Sequence, residues 1–251
     1  MASLPAMSVQ LYSVREQLAT DFSGTMARLA QIGLTRVEPF AMVEHAAELK
    51  IALADNGLSA PTTHQSLVEV DLDAVFETAT DLGIATVIHP YTDAELWSSE
   101  DGVATLADAL NTAAATAASH GLRVGYHNHD WEVRNTFDGQ TALERFVGLL
   151  DPSVVLEIDC YWAAFGGQDV PALIGRLGGR VVALHLKDGP LNGVIAEQLP
   201  LGSGQLPAAE IVAAATSVEV PVLEFDQYAG DIFEGVATGY AFATATLGAE
   251  R

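Results

Sequence analysis

Cysteine is almost absent from this 251-residue sequence: Cys160 stands alone. An internal disulfide is therefore excluded, which fits a reducing compartment. Lysine is nearly as scarce, with only Lys50 and Lys187, and all basic residues total 11 against 33 acidic ones. The formal charge of −22 repels phosphate backbones and anionic lipid, and no basic stripe offsets it. Nucleic acid and membrane surfaces are thus poor partners, and an anionic substrate would need local cations to hold it. No apolar run is long enough to cross a bilayer. Met1 to Met7 lacks both the basic and the apolar regions of a signal peptide, so the cytoplasm is the expected location. Linkers rich in Pro, Gly or Ser are missing too, and a single domain over 1–251 is expected. Nothing in the sequence specifies an oligomeric state, although a homo-oligomer is compatible with it.

What is present is a repeating alternation. Short β-branched runs occur at Ser8–Tyr12, Thr35–Pro39, Leu58–His64, Ala85–His89, Leu122–Asn128, Val154–Asp159, Val181–Leu186 and Val220–Phe225. Ala-rich amphipathic stretches separate them, such as Phe22–Ile32, Leu72–Leu82 and Val103–His120. Gly33, Gly57, Gly83 and Gly121 follow helical patterns where a left-handed C-cap is wanted. Eight such units predict an α/β fold, a closed (β/α)8 TIM barrel. An open dinucleotide-binding sheet would want a glycine-rich turn after the first strand, where Tyr12-Ser13-Val14-Arg15 stands instead. Gly202-Ser203-Gly204 follows no strand directly and reads as a flexible loop.

In a barrel of this kind, polar residues at the C-terminal strand ends carry the chemistry. Alternation puts His127 with His129, Glu157 with Asp159, His185 with Lys187, and Glu224 with Asp226 on shared faces. If those faces point inward, His127, Asp159, His185 and Glu224 converge at the mouth. Several carboxylates buried together require a cation or protons. Imidazole plus carboxylate without thiolate suits one divalent ion, Mn, Co, Mg, Zn or Fe, rather than a structural zinc. Glu132 competes with His127 as fourth ligand. Lys187 would face the same site, and Tyr12, His64, His129 and Trp162 complete the substrate-binding candidates.

A bland reading stands beside each residue. Taken singly, His64, His89 and Asp188 are more often packing or capping groups. Glu157 would pair with a cation inside the barrel, Lys187 being one partner. Cys160 reads as a small packing residue. Tyr161-Trp162 reads as core or as the floor of a sugar site.

These strand ends resemble the xylose-isomerase-like barrel superfamily, in its sugar phosphate isomerase/epimerase branch. The resemblance runs from Val9-Gln10-Leu11-Tyr12-Ser13-Val14-Arg15 through Tyr126-His127-Asn128-His129-Asp130-Trp131-Glu132 and Asp159-Cys160-Tyr161-Trp162 to His185-Leu186-Lys187-Asp188, Pro200-Leu201-Gly202-Ser203-Gly204 and Leu223-Glu224-Phe225-Asp226. It implies one divalent ion held by residues ending strands five to eight. Ketose epimerases place Glu, Asp, His and Glu there, and Asp159, His185 and Glu224 match. His127 stands where they have Glu, and Trp162 where they often have a substrate-binding His. The Tyr-His-Asn-His run instead resembles inosose dehydratase and related keto-sugar eliminases.

The resemblance implies a metal-dependent isomerase or epimerase of a ketose, keto-polyol or similar small carbohydrate. It would act by proton abstraction α to a carbonyl, with Glu224, His127, Glu132 and Lys187 as the candidates for proton and charge handling. A metal-dependent lyase shares that first step and is the alternative. An endonuclease IV-like enzyme would need a cationic groove, which the charge opposes, and a non-catalytic sugar-binding barrel would not need this set of ionisable groups.

Overall fold

The computed structural model describes residues 4–250, so Met1 to Ser3 of the segment read for a signal peptide lie outside the described residues. Strands β1 (Ser8–Val9), β3 (Thr62–His64), β4 (Thr86–His89), β5 (Arg123–His127), β6 (Val155–Asp159), β7 (Val181–Leu186) and β8 (Val220–Leu223) form one parallel seven-stranded sheet. Its order is β1-β8-β7-β6-β5-β4-β3. The gap between β1 and β3 is filled by β2, residues 36–40, held through single parallel bridges rather than a continuous ladder. Gln10 pairs with Glu38, Arg36 with Ser59, and Phe40 with His64. Backbone bonds from Glu38 N to Val9 O (2.8 Å) and from His64 N to Pro39 O (2.8 Å) join the two sheet edges, and the barrel closes. Pro39 explains the broken ladder, because it has no N–H to contribute.

Helices on the outside connect the strands. Asp21 caps the helix Phe22–Ile32 by accepting from Gly24 N, and Gly33 ends it with φ of 111°. The helix Ala46–Asn56 ends the same way at Gly57, φ 63°. These positive angles are what the sequence pattern anticipated, since a side chain there would crowd the carbonyl. One element had no forecast. Thr136–Phe137 and Gln140–Thr141 form a small antiparallel hairpin around Asp138-Gly139 (φ 49° and 83°). Asp-Gly is a known signal for such a turn, and it was there to be read.

A buried aromatic group of Trp97, Tyr126 and Phe146 packs between β5 and the surrounding helices, with ring centroids 4.9–5.5 Å apart. It fixes the outer side of the strand whose inner side carries His127. Among the described residues, no helix is long and apolar enough to cross a membrane.

Candidate active site at the barrel mouth

Register brings the polar residues together. His127 on β5 lies beside Glu157 on β6, and Asp159 on β6 beside His185 on β7. Lys187 and Glu224 each sit one residue beyond the ends of β7 and β8. Because alternate residues share a face, Glu157 and Asp159 both point into the barrel, one step apart in depth. The cluster sits under a cavity of about 660 Å³, whose lining includes His64, His127, His129, Lys187, Glu224 and Asp226. Tyr12, Arg15, Phe40, Tyr91, Trp162 and Ile195 form its upper walls.

Two layers can be told apart. In the deeper one, a single oxygen of Glu157, Oε2, meets three imidazoles: His64 Nε2 at 2.6 Å, His127 Nδ1 at 2.9 Å and His185 Nε2 at 3.0 Å. The other oxygen, Oε1, is buried without a partner. Glu38 lies in the same layer, accepting from Gln10 Nε2 (2.8 Å), Thr62 Oγ1 and His185 Nε2 (2.7 Å). In the upper layer His127 Nε2 faces Asp159 Oδ2 at 3.6 Å, and His185 Nδ1 contacts Glu224 Oε2. Lys187 Nζ reaches Asp159 (2.8 Å), Glu224 (2.9 Å) and Asp226 (2.8 Å).

The electrostatics follow from this packing. Burial acts to raise the Glu157 carboxyl, but His185, His64 and His127 outweigh it and hold it well below the ordinary range. Glu224 is likewise kept ionised against burial by Lys187 and His185. Burial raises Glu38, and the Glu157 charge adds to the rise. Asp159 is raised mainly by burial, with Lys187 opposing. Burial would discharge His185 and Lys187, yet their surrounding carboxylates push both well above their usual values. His127 goes the other way. Burial and the His185 charge lower it well below a free imidazole, so it is neutral near neutral pH.

Two overlapping donor sets could hold a cation, His127–Asp159–His185–Glu224 and His64–His127–Glu157–His185, each with donor atoms within 4.8 Å of one another. The first mixes imidazole and carboxylate without thiolate, as hard or borderline divalent ions prefer. The Lys187 ammonium, lodged between Asp159 and Glu224, shows that this carboxylate pair accepts positive charge. The residues present fit a divalent ion.

Several expectations change. Glu132 is fully buried and absent from the cavity lining. Its Oε1 accepts from Tyr126 OH (2.8 Å) and its Oε2 from His129 N (2.9 Å), so both oxygens are spent on holding the loop after β5. It is placed neither to ligate nor to exchange a proton with substrate. Lys187 pairs with Asp159, Glu224 and Asp226 rather than with Glu157. His64 lines the cavity, but its Nε2 is turned down to Glu157 and not towards a substrate. His129 also lines the cavity. It stacks on Trp131 at 4.5 Å, and its Nδ1 is buried without a hydrogen-bond partner. Trp162, whose backbone N–H donates to Asp159 Oδ1 (2.9 Å), forms a wall with Lys187 Nζ 5.8 Å from its ring. Tyr12 is 41% exposed at the rim, edge-on to Phe40 and beneath Arg15.

His89 and Asp188 are structural, for different reasons. His89 accepts from Leu67 N (3.1 Å), and burial, with the nearby His64 charge, lowers its pKa to about 4. Asp188 gathers four backbone N–H groups, from Gly189, Gly202, Gly204 and Leu206, at 2.8–3.0 Å. The Gly202-Ser203-Gly204 turn is therefore a pinned cradle and not a flexible loop. A Cβ at Gly204 would lie 2.2 Å from Asp188 Oδ1.

Glu38 escaped the sequence reading. Its signal was a lone acid within Arg36-Val37-Glu38-Pro39-Phe40, where a strand should have been apolar. Arg15 was also missed as a cavity residue, because its helix begins only after the strand has ended.

Comparison with known proteins agrees with the barrel fold. A family model described as xylose isomerase-like TIM barrel matches residues 26–219. An inosose dehydratase from Geobacillus kaustophilus is 34% identical over 102 residues, a stretch spanning 40% of this chain and 30% of that protein. A sugar phosphate isomerase/epimerase from Parabacteroides distasonis superposes with a TM-score of 0.83 at 22% identity, covering 96% of this chain and 94% of that one. A D-allulose 3-epimerase from Methylomonas sp. gives 0.72 at 16% identity, over 96% and 98%.

Proposed function

Because the chain belongs to the xylose isomerase-like TIM barrel family, we propose that it is a divalent-metal-dependent isomerase or epimerase of a ketose, keto-polyol or similar small carbohydrate. The observation that carries this reading is the buried convergence of His127, Asp159, His185 and Glu224, with Lys187 among them, beneath a cavity large enough for a sugar. Those four residues would hold the ion. When bound, it supplies Lewis-acid polarisation of a carbonyl and neutralises charge developing on its oxygen. Glu224 takes the proton α to the carbonyl, since it is ionised and reaches the cavity. Lys187, whose ammonium meets Asp159, Glu224 and Asp226, would be free to donate to a substrate oxygen once an ion engaged Asp159 and Glu224. His129, which lines the cavity, is the group for returning a proton. Trp162 and Tyr12 offer the aromatic walls that sugar faces pack on. The single buried cysteine and the charge of −22 support a cytoplasmic setting without nucleic-acid or membrane partners.

One observation favours a lyase as second reading. His127 supplies imidazole at a position where a two-carboxylate epimerisation would use a second glutamate, and elimination of a β-hydroxyl needs only one base. NMR in heavy water with Mn- or Co-loaded protein separates the two across a panel of keto-sugars and inososes. Deuterium gain with every hydroxyl retained supports isomerase or epimerase, and a new enone or diketone supports the lyase. No exchange with any substrate, metal present, would overturn both.

A further inference from the structure

We infer that Glu157 is a positioning residue: its one engaged oxygen fixes His127 and His185 in opposite tautomers, so that each turns its other nitrogen up to a single divalent ion. The inference rests on the metal reading above. It begins from an asymmetry in the two imidazoles. His127 points Nδ1 down to Glu157 and Nε2 up to Asp159, whereas His185 points Nε2 down to Glu157 and Glu38 and Nδ1 up to Glu224. A neutral imidazole has one N–H and one lone pair. With an ion above, the upward nitrogens must offer their lone pairs, so the downward ones carry the protons to the carboxylates beneath. Carboxylate–histidine–metal relays of this type set both the tautomer and the orientation of a ligand.

The same four groups His64, His127, Glu157 and His185 could instead be read as a second cation site, but there three imidazoles crowd onto a single carboxylate oxygen. His64 and His127 approach Glu157 at 2.6 and 2.9 Å, which are hydrogen-bond lengths. His64, 2.6 Å from the same oxygen, completes the set of donors that keeps Glu157 in place. Its other oxygen, Oε1, has no partner, so Glu157 orients through one atom, and Glu38 shares the hold on His185.

The test uses full-length protein and zinc or cobalt as probe. Calorimetric titration of wild type with Co(II) should give one ion per chain. Glu157→Gln should keep that stoichiometry and bind about 10–100-fold more weakly, the usual cost of losing such a partner. Long-range ¹H–¹⁵N NMR on the zinc-loaded wild type should show His127 protonated at Nδ1 and His185 at Nε2. This second measurement needs no variant and stands even if Glu157→Gln does not fold. Two ions per chain, unchanged affinity in a folded Glu157→Gln protein, or matching tautomers would each overturn the inference while leaving the metal reading intact. Wild type that takes up no ion would overturn both.

Discussion

The two halves of the barrel mouth are built on different chemistry. Strands β5 to β8 end in His127, Asp159, His185, Lys187 and Glu224, all buried, while β1 to β4 turn Tyr12, Phe40, Gln65 and Tyr91 towards the same cavity. The charged half is tied together by ion pairs of 2.8–2.9 Å, and the aromatic half by edge-on ring contacts. Burying so many ionisable groups is tolerable only because each has a partner of opposite sign. The aromatic half carries no such cost and can be shaped for a substrate. Two groups cross the divide: Glu38, which β2 places beneath His185, and His64, which β3 turns to Glu157. The site is thus one reactive wall facing one recognition wall.

Substitutions can break that division, beginning on the reactive wall. Glu224→Gln removes a ligand charge and the proton acceptor together, so turnover should vanish and ion affinity should fall, measured by steady-state assay and calorimetry. His127→Ala should cost roughly 10²–10⁴-fold in rate, whereas His89→Ala should leave turnover per folded molecule nearly unchanged. Equal effects at the two histidines would erase the distinction between the halves. Lys187→Met leaves Asp159, Glu224 and Asp226 without their shared cation, and removing one partner of a buried set costs about 3–5 kcal/mol. The loss should show in denaturant melts and shrink when Mn is added, because the ion replaces the missing charge.

On the recognition side the effects are smaller. His89 is neutral when folded, with a pKa of about 4, and it protonates near 6.5 when unfolded. The unfolded state therefore binds more protons between these values, and stability falls as pH drops from about 6.5 to about 4. The full effect is at most about 3 kcal/mol. A His89→Gln variant should flatten stability against pH across that window, and an unaltered slope would refute the assignment. Tyr12→Ala should raise KM by up to about tenfold with kcat unchanged, in line with about 0.5–1.5 kcal/mol for an aromatic contact. A fall in kcat instead would move Tyr12 onto the reactive wall.

Periodicity in the sequence was enough to specify eight strand–helix units, because strand alternation and helix capping are local properties. The convergence of His127, Asp159, His185 and Glu224 followed from the same alternation once the barrel was assumed. Other features depend on contacts between residues distant in the chain. Glu38 meets His185 across 147 positions, and no local pattern announces that pairing. Glu132 looked available in the sequence, yet Tyr126, six residues away on the other side of the strand, takes up its carboxylate. Lys187 had Glu157 as its expected partner, and the upward step from Glu157 to Asp159 set it against Asp159 instead, with Glu224 and Asp226 beside it. The amino-acid sequence alone determined which residues face inward. Only the closed barrel decided the depth at which each sits, because depth depends on strand register, and register is a property of neighbours.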